Sequence, residues 1–180
     1  MSRNGVVVKV PGKVNLQLAV GPLESDGYHE ITTIFQAISI FDDVTVRYGN
    51  PNTGISLNIA GPTASGVPTD EKNLAYQAAK LMVTRYGISE DISINLRKEI
   101  PVAGGMAGGS ADAAAVLVGI DQLFRLGLSK DELGEIARKL GSDEDNDGHD
   151  GQFSCNHGQA GTGQWRALGY RCNRSTTDRL

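Results

Sequence analysis

Pro101-Val-Ala-Gly-Gly-Met-Ala-Gly-Gly-Ser-Ala-Asp112 is the stretch that decides the predicted fold, because its four glycines and three alanines separate two regular patterns. Before it, Asp91–Ile100 carries apolar residues at 92, 94 and 96, and this period of two predicts a strand. After it, Ala111–Phe124 is long and rich in alanine, which predicts a helix. The chain therefore runs from a strand through a glycine loop into a helix.

This order of elements indicates a binding site for an anion. Glycine permits unusual backbone dihedral angles and the close approach of a ligand. The first amides of a helix lack partners within it, and the helix dipole adds partial positive charge there, so phosphate is the natural ligand. The alternative is a tight turn in which small residues only allow close packing. The stretch is not a Walker loop, since no Gly-Lys-Ser/Thr follows, and it lacks the G-x-G-x-x-G spacing of a dinucleotide-binding loop.

The composition is typical of one globular domain, with 180 residues of which 39% are apolar and 21% charged. The formal net charge of −4 argues against nucleic acid or an anionic membrane as a partner. No stretch is long and apolar enough to cross a bilayer. Met1–Gly5 lacks the features of a signal peptide, and Cys155 and Cys172 are expected to be reduced thiols, so we expect a cytoplasmic location.

Two short apolar runs near the N-terminus predict strands over Val6–Val10 and Val14–Val20, with a break or a kink at Pro11-Gly12. Lys13 and Asn15 stand at the start of the second strand, two residues apart and therefore on one face. Taken by itself, Lys13 is more often a solvent-facing lysine than a catalytic one.

Tyr28 and His29 directly follow a turn signal. An aromatic ring beside an imidazole can stack on a base or sugar and hydrogen-bond to it. The alternative is a Tyr28 that covers the core and a His29 that is an ordinary surface residue.

The remaining regular elements follow from alternation and capping patterns. Strands are predicted over Asp43–Tyr48 and Ile55–Ile59. A helix is predicted from the cap Thr69 to Gly87, and a capping box at Ser129-Lys-Asp-Glu132 predicts another through Leu140.

Residues 144–180 are rich in polar residues and glycine and show neither helix nor strand periodicity, so we expect this tail to be irregular or disordered. Asp143-Glu-Asp-Asn-Asp-Gly148 matches the opening of a calcium loop, but Ser154 stands where a bidentate Glu is needed. Cys155, His157 and Cys172 match no common zinc spacing.

Four motifs occur in the chain: Pro11-Gly-Lys-Val-Asn-Leu16, Asp26-Gly-Tyr-His29, the stretch from Pro101 to Ala114, and Leu140-Gly-Ser-Asp143. In their order and separation, the chain resembles the N-terminal part of the 4-diphosphocytidyl-2-C-methyl-D-erythritol kinase family, in the GHMP kinase superfamily. The resemblance extends from Val6 to Asp143. It implies an α+β fold over residues 1–143, the GHMP kinase N-terminal domain (ribosomal protein S5 domain 2-like), with a mixed sheet and helices on one face.

The resemblance implies a small-molecule kinase that uses ATP to phosphorylate the 2-hydroxyl of 4-diphosphocytidyl-2-C-methyl-D-erythritol, in non-mevalonate isoprenoid precursor biosynthesis. Lys13 matches the family lysine that stabilises charge on the transferring phosphoryl group, and Asp143 matches the base that acts on the substrate hydroxyl. Tyr28 and His29 match the residues that hold cytosine, and Asn15 matches a substrate-contacting asparagine.

The resemblance also implies that the glycine loop wraps the triphosphate of ATP, with Mg²⁺ alongside and Ser110 as a contact to the ion. The residues of this ATP-binding loop are Pro101, Val102, Ala103, Gly104, Gly105, Met106, Ala107, Gly108, Gly109, Ser110 and Ala111. The implied partners are ATP and one small-molecule substrate, and the oligomeric state is left open.

The chain departs from the family pattern in two places. Ala107 stands where the family usually has glycine, and a negative φ would accommodate it. Glu144-Asp-Asn-Asp147 replaces an apolar strand, and the pattern of the family's C-terminal domain is absent. The alternative function is therefore a truncated or frame-shifted, catalytically inactive fragment that retains nucleotide binding. A third interpretation is a metal-binding protein that uses the acidic tail.

Overall fold

Five strands and three helices make up the described part of the chain. The computed structural model describes residues 5–23, 29–142 and 171–174. The strands are β1 (Val6–Leu23), β2 (His29–Tyr48), β3 (Ile55–Ala60), β4 (Ile92–Arg97) and β5 (Arg171–Arg174), and the helices are α1 (Leu74–Tyr86), α2 (Gly108–Phe124) and α3 (Lys130–Ser142).

The strands form one mixed sheet in the order β3-β4-β2-β1-β5. Strand β1 is antiparallel to β2 and β5, and β2 is antiparallel to β4. Strands β3 and β4 are parallel, and α1 makes the crossover between them, as a parallel pair requires. The predicted α+β fold with a mixed sheet is confirmed.

One face of the sheet is apolar and carries the helices. Alternate residues of β4, namely Ile92, Ile94 and Leu96, are buried, and they belong to one hydrophobic core with residues of all three helices. The intervening positions on the opposite face are polar, and Asn95 lies in register between Asn58 of β3 and Thr45 of β2. The period of two in the sequence thus explains why the helices cover a single face.

Helix α2 lies directly on the sheet, and a glycine permits this close approach. A Cβ atom at Gly119 would lie 2.6 Å from Cγ2 of Val46. Since this distance is shorter than any ordinary contact, a side chain at this position would push the helix away from β2.

The first two strands are longer than predicted. Of the break or kink predicted at Pro11-Gly12, the structure shows no break: β1 is continuous, and the irregularity there is a register shift in its pairing with β2 between Pro11 and Lys13. A bulge can accommodate a proline that has no amide to donate. The segment Asp43–Tyr48 is likewise only the end of β2.

The helices differ from prediction mainly at their N-termini. Asn73, not Thr69, caps α1, since its side-chain oxygen accepts a 2.9 Å hydrogen bond from the amide of Ala75. The end of α1 at Gly87, which has a φ of 61°, is as predicted. Helix α2 begins at Gly108 rather than Ala111.

The capping box at the start of α3 is confirmed. The amide of Ser129 donates to Glu132 at 2.8 Å, and the amide of Glu132 donates to the Ser129 hydroxyl at 3.2 Å. The helix continues past the predicted end at Leu140 to Ser142.

Within the segment expected to be irregular, Arg171–Arg174 form strand β5 and pair with Val6–Lys9, so the expectation is corrected at these four residues. The rest of residues 143–180 lies outside the described part. No helix in that described part is both long and apolar enough to cross a membrane.

Candidate functional site

The glycine loop connects the end of β4 to the start of α2 and exposes nearly all its residues. Three of its residues have a left-handed backbone: Ala103 at φ 60°, Gly105 at φ 66° and Ala107 at φ 55°. Ala107 therefore does not have the negative φ that would accommodate an alanine at this position. A left-handed conformation is unfavourable for alanine, which explains why glycine suits this position.

Helix α2 begins at the end of this loop, and no side chain caps its N-terminus. Its N-cap residue is Ala107, which makes no capping hydrogen bond through its side chain. The first turn begins with Gly108, Gly109 and the exposed Ser110. Backbone amides at such an end, together with the helix dipole, suit a phosphate.

The loop is joined to strand β1 at Lys13. The backbone amide of Lys13 donates a 3.1 Å hydrogen bond to the carbonyl oxygen of Met106. Gly12 lies beside the start of the loop, since a Cβ atom there would be 3.4 Å from Cγ2 of Ile100. The irregular pairing at Pro11 therefore brings the predicted catalytic lysine next to the predicted phosphate loop.

The Lys13 side chain is held by neighbours on the same sheet face. Its ammonium donates a 2.9 Å hydrogen bond to Oδ1 of Asn15 and lies 5.1 Å from the centroid of the Phe35 ring. The predicted pairing of Lys13 with Asn15 on one face is therefore present. Phe35 was missed in the sequence, although a cation–π contact accounts for its position.

Three predicted site residues cannot be compared with this arrangement. Tyr28 and Asp143 lie outside the described residues. His29 is the first residue of β2 and pairs with Leu23, but only its backbone is described.

Most of the residues considered as metal ligands in the sequence lie outside the described residues. Among the described residues, no group of three or more His, Cys, Asp or Glu side chains could hold a metal ion. The acidic stretch Asp143–Gly148, Cys155 and His157 lie outside the described part, and Cys172 is described only as backbone in β5.

A buried ionic cluster under the loop was not predicted. The Lys98 ammonium lies 2.6 Å from Oδ2 of Asp42 and 2.6 Å from Oδ2 of Asp112. These three side chains are 3%, 0% and 4% exposed, respectively. The alternation of apolar residues in the sequence could have indicated this cluster. Lys98 follows the buried positions 92, 94 and 96 in steps of two, so it is expected on the buried face of the sheet. Asp42 precedes Val44 and Val46 in the same way. A lysine on the buried face requires a charged partner.

The Asp42 carboxylate also holds the backbone that leads into the loop. Its Oδ1 accepts hydrogen bonds from the amides of Glu99 at 2.6 Å and Ile100 at 2.9 Å. By contrast, Oδ1 of Asp112 is buried and has no hydrogen-bond partner among the described residues.

Burial and charge shift the pKa values in this cluster. Burial raises the pKa of Asp112 to about 7, against the opposing effect of the Lys98 ammonium. Burial would lower the pKa of Lys98, but Asp112 and Asp42 outweigh it and hold that pKa above its ordinary value. The cluster of one ammonium and two carboxyl groups therefore binds an additional proton near neutral pH.

Comparison with protein families agrees with this geometry. Residues 73–159 match the family model described as GHMP kinases N terminal domain. This range contains the glycine loop and all three helices.

Relatives of known name cover nearly the whole chain. The chain is 51% identical over 172 residues to the 4-diphosphocytidyl-2-C-methyl-D-erythritol kinase of Mycolicibacterium paratuberculosis, a match that covers 95% of this chain and 51% of that protein. It is 49% identical to the same-named protein of Mycobacterium tuberculosis, with the same coverage. The chain thus spans about half the length of these curated relatives.

Solved structures show the same fold. A crystal structure of 4-(cytidine 5'-diphospho)-2C-methyl-D-erythritol kinase superposes with a TM-score of 0.60 and 36% identity, covering 76% of this chain and 46% of that one. A homoserine kinase from Cytophaga hutchinsonii superposes with a TM-score of 0.59 over 78% of this chain and 42% of that one, and at 20% identity it supports the fold alone.

The similarity continues further than the motifs indicated. The family model ends at residue 159, and the relatives align over 172 of the 180 residues. The end of the resemblance at Asp143 is therefore corrected, since aligned sequence extends into the polar tail.

Proposed function

The chain contains the N-terminal domain of the GHMP kinases, and from this premise we propose that it acts in an ATP-dependent kinase for the 2-hydroxyl of 4-diphosphocytidyl-2-C-methyl-D-erythritol. The names of the curated relatives support this substrate. Because the chain spans about half their length, the proposal concerns the activity of the whole kinase and the part that these residues take in it.

One contact carries the proposal: the hydrogen bond between the Lys13 amide and the Met106 carbonyl. It joins the strand that bears Lys13 to a glycine loop at the uncapped N-terminus of α2. Phosphoryl transfer depends on positioning and on neutralising charge more than on covalent help from the protein. An anion-binding loop with a lysine beside it meets these two needs.

In the proposed mechanism, backbone amides of residues 102–111 bind the triphosphate of ATP. The Lys13 ammonium stabilises charge on the transferring phosphoryl group, and the hydrogen bond from it to Asn15 fixes its orientation. Asp143 accepts the proton of the substrate hydroxyl as that oxygen attacks the terminal phosphorus of ATP. The bond from this phosphorus to the oxygen of the β-phosphate breaks, and ADP leaves. Asn15 also contacts the substrate, and Tyr28 and His29 hold its cytosine.

ATP is the proposed phosphoryl donor, and Mg²⁺ is its proposed companion ion. The hydroxyl of Ser110, exposed in the first turn of α2, would contact the ion together with oxygens of the phosphates. These donors fit magnesium, which keeps several waters and is usually bound through one or two protein groups and the substrate phosphates. Bound there, the ion would neutralise phosphate charge.

We place the reaction in the methylerythritol phosphate route to isoprenoid precursors and the protein in the cytoplasm. The names of the relatives support the substrate of that route.

The first experiment measures ATP binding by the purified chain with isothermal titration calorimetry, and phosphoryl transfer by the release of ADP in the presence of the substrate. We expect Lys13→Met to reduce transfer by at least about a hundredfold, because charge stabilisation by one cationic group contributes on the order of 3–4 kcal/mol. Asp143→Asn is expected to reduce transfer while ATP binding remains.

Lys9→Met is the matched control, since Lys9 lies on the same strand with a half-exposed side chain 3.8 Å from Asp43. We expect it to retain the binding and transfer of the unchanged chain. A chain that does not bind ATP would contradict the proposal. ATP binding by the unchanged chain without phosphoryl transfer would limit the function of this stretch to nucleotide binding.

A further inference from the structure

The residues on either side of the glycine loop are joined through the buried ammonium group of Lys98. Lys98 lies just before the loop, and Asp112 lies in the first part of α2, just after it. The 2.6 Å contact between their side chains therefore connects the two ends of the loop. The position of Gly108 agrees with this, since a Cβ atom there would lie 3.2 Å from the Lys98 ammonium.

Asp42 fixes the ammonium to the sheet. One of its oxygens contacts Lys98, and the other accepts hydrogen bonds from the amides of Glu99 and Ile100. The backbone at the start of the loop and the side chain that reaches its end are thus held by the same carboxylate. Charge-assisted hydrogen bonds of this kind are short and directional, so they define the relative positions of β2, β4 and α2.

The cost of this arrangement argues for a role beyond stability. Removing charged groups from water is unfavourable, and a buried ion pair often stabilises a protein no more than apolar residues of similar volume. Apolar residues at the same three positions would continue the core formed by Val44, Leu96 and Val116. They would not hold the two ends of the loop by directional bonds.

We propose that Lys98 is a positioning residue of the phosphate loop, which it holds in its anion-binding conformation by joining Asp42 to Asp112. The proposal rests on the function proposed above, because it assumes that residues 101–111 bind the phosphates of a nucleotide. Lys98 is buried at 3% exposure, so it acts through the loop backbone and not by contact with the ligand.

The test compares Lys98→Met with Arg97→Met in the full chain. Arg97 is the neighbouring residue, and its side chain is 68% exposed, so this variant matches the substitution without disturbing the cluster. Hydrogen exchange of the ligand-free chain reports the loop conformation, and calorimetry reports affinities for ATP, ADP and AMP. Thermal unfolding of each variant checks that the fold is kept.

We expect faster exchange at the amides of residues 102–111 in Lys98→Met, with unchanged exchange in β3 and α3. ATP affinity is expected to fall by about tenfold, the effect of losing one charge-assisted interaction. The loss should decrease from ATP to ADP to AMP, because only the phosphates beyond the first depend on the whole loop. If Lys98→Met only lowered the overall stability of the fold, the affinities for ATP, ADP and AMP would fall by similar factors.

A second pair of variants decides the matter if Lys98→Met does not fold. Asp112→Asn keeps an oxygen that can accept from the ammonium, whereas Asp112→Leu does not. The proposal requires near-normal loop exchange and ATP affinity in Asp112→Asn and the loss of both in Asp112→Leu.

Equal loop exchange in Lys98→Met and Arg97→Met, or in the two Asp112 variants, would overturn the proposal. A chain that binds no ATP in its unchanged form would contradict the proposed function, while the exchange of the ligand-free loop would still decide the role of Lys98. The failures of the two proposals are therefore distinguishable.

Discussion

The backbone amide of Lys13 donates to the carbonyl oxygen of Met106, and this hydrogen bond of 3.1 Å joins the first strand of the sheet to the glycine loop. The two residues are far apart in sequence. They meet because the pairing of β1 with β2 shifts register between Pro11 and Lys13, beside the start of the loop. This hydrogen bond therefore connects the backbone of the loop to the backbone of β1.

We predict that ATP slows hydrogen exchange at the Lys13 amide as well as at the amides of residues 102–111. Binding should reduce the local opening that breaks the bond to Met106. Strand β3 lies at the far side of the sheet from β1, so its exchange should not change. Exchange measured by mass spectrometry with and without ATP checks this. Protection of the loop with none at Lys13 would show that the two segments are not coupled.

The left-handed backbone at Ala107 makes a prediction about stability. Replacing it with glycine should raise the free energy of unfolding by about 1 kcal/mol, because alanine is unfavourable at a φ of 55° and glycine is not. Denaturation by urea measures the change. Ala137→Gly is the control: it lies within α3, where glycine should destabilise by roughly 0.5–1 kcal/mol. Destabilisation in both variants would contradict the left-handed conformation at Ala107.

Local patterns in the sequence predict the strand, loop and helix around residues 91–124. Alternation decides the face of β4, and the glycines mark the loop, because both signals depend on neighbouring residues. The pairing of Lys13 with Asn15 follows in the same way from their spacing. The continuity of β1 could not be predicted, since Pro11-Gly12 is a common break signal and only the partner strand shows that it is a bulge here.

The buried cluster depends on contacts between distant segments. Asp42, Lys98 and Asp112 come from β2, the end of β4 and α2, so no local motif contains them. Asp42 and Lys98 each lie an even number of residues from buried apolar residues of β2 and β4, respectively, which indicates that each side chain is buried. This spacing does not indicate that the two side chains are in contact with each other. The choice of Asn73 over Thr69 as the cap of α1 is similar, since both residue types are good caps and tertiary packing selects between them.

The close approach of α2 to the sheet predicts strong coupling between Gly119 and Val46. Gly119→Ala should destabilise the fold by roughly 1–3 kcal/mol despite the higher helix propensity of alanine, because the new methyl group overlaps the Val46 side chain. Val46→Ala removes the atom with which it collides. We therefore expect the double variant to lose less free energy of unfolding than the two single variants lose in total. A double-mutant cycle by urea denaturation measures this difference. Additive effects would contradict this packing.

The raised pKa of Asp112 predicts how the stability of the fold depends on pH. The carboxyl group keeps its proton up to about pH 7 in the folded chain, but in the unfolded chain it releases the proton near its ordinary pKa of 3.8. Between these values the folded state binds more protons, so the contribution of Asp112 to stability falls as the pH rises. The slope cannot exceed about 1.4 kcal/mol per pH unit, which corresponds to one proton.

Asp112→Asn isolates this contribution, since asparagine does not titrate. Subtracting the free energy of unfolding of Asp112→Asn from that of the unchanged chain should give a curve that falls from about pH 4 to about pH 7 and is flat above. Glu132→Gln is the opposite control. Hydrogen bonds from Ser129 lower the pKa of Glu132, so its stabilising contribution is complete above the unfolded value of 4.5 and is lost as the pH falls through the lower folded value. A flat difference curve for Asp112→Asn between pH 4 and pH 7 would show that this carboxyl group ionises normally despite its burial.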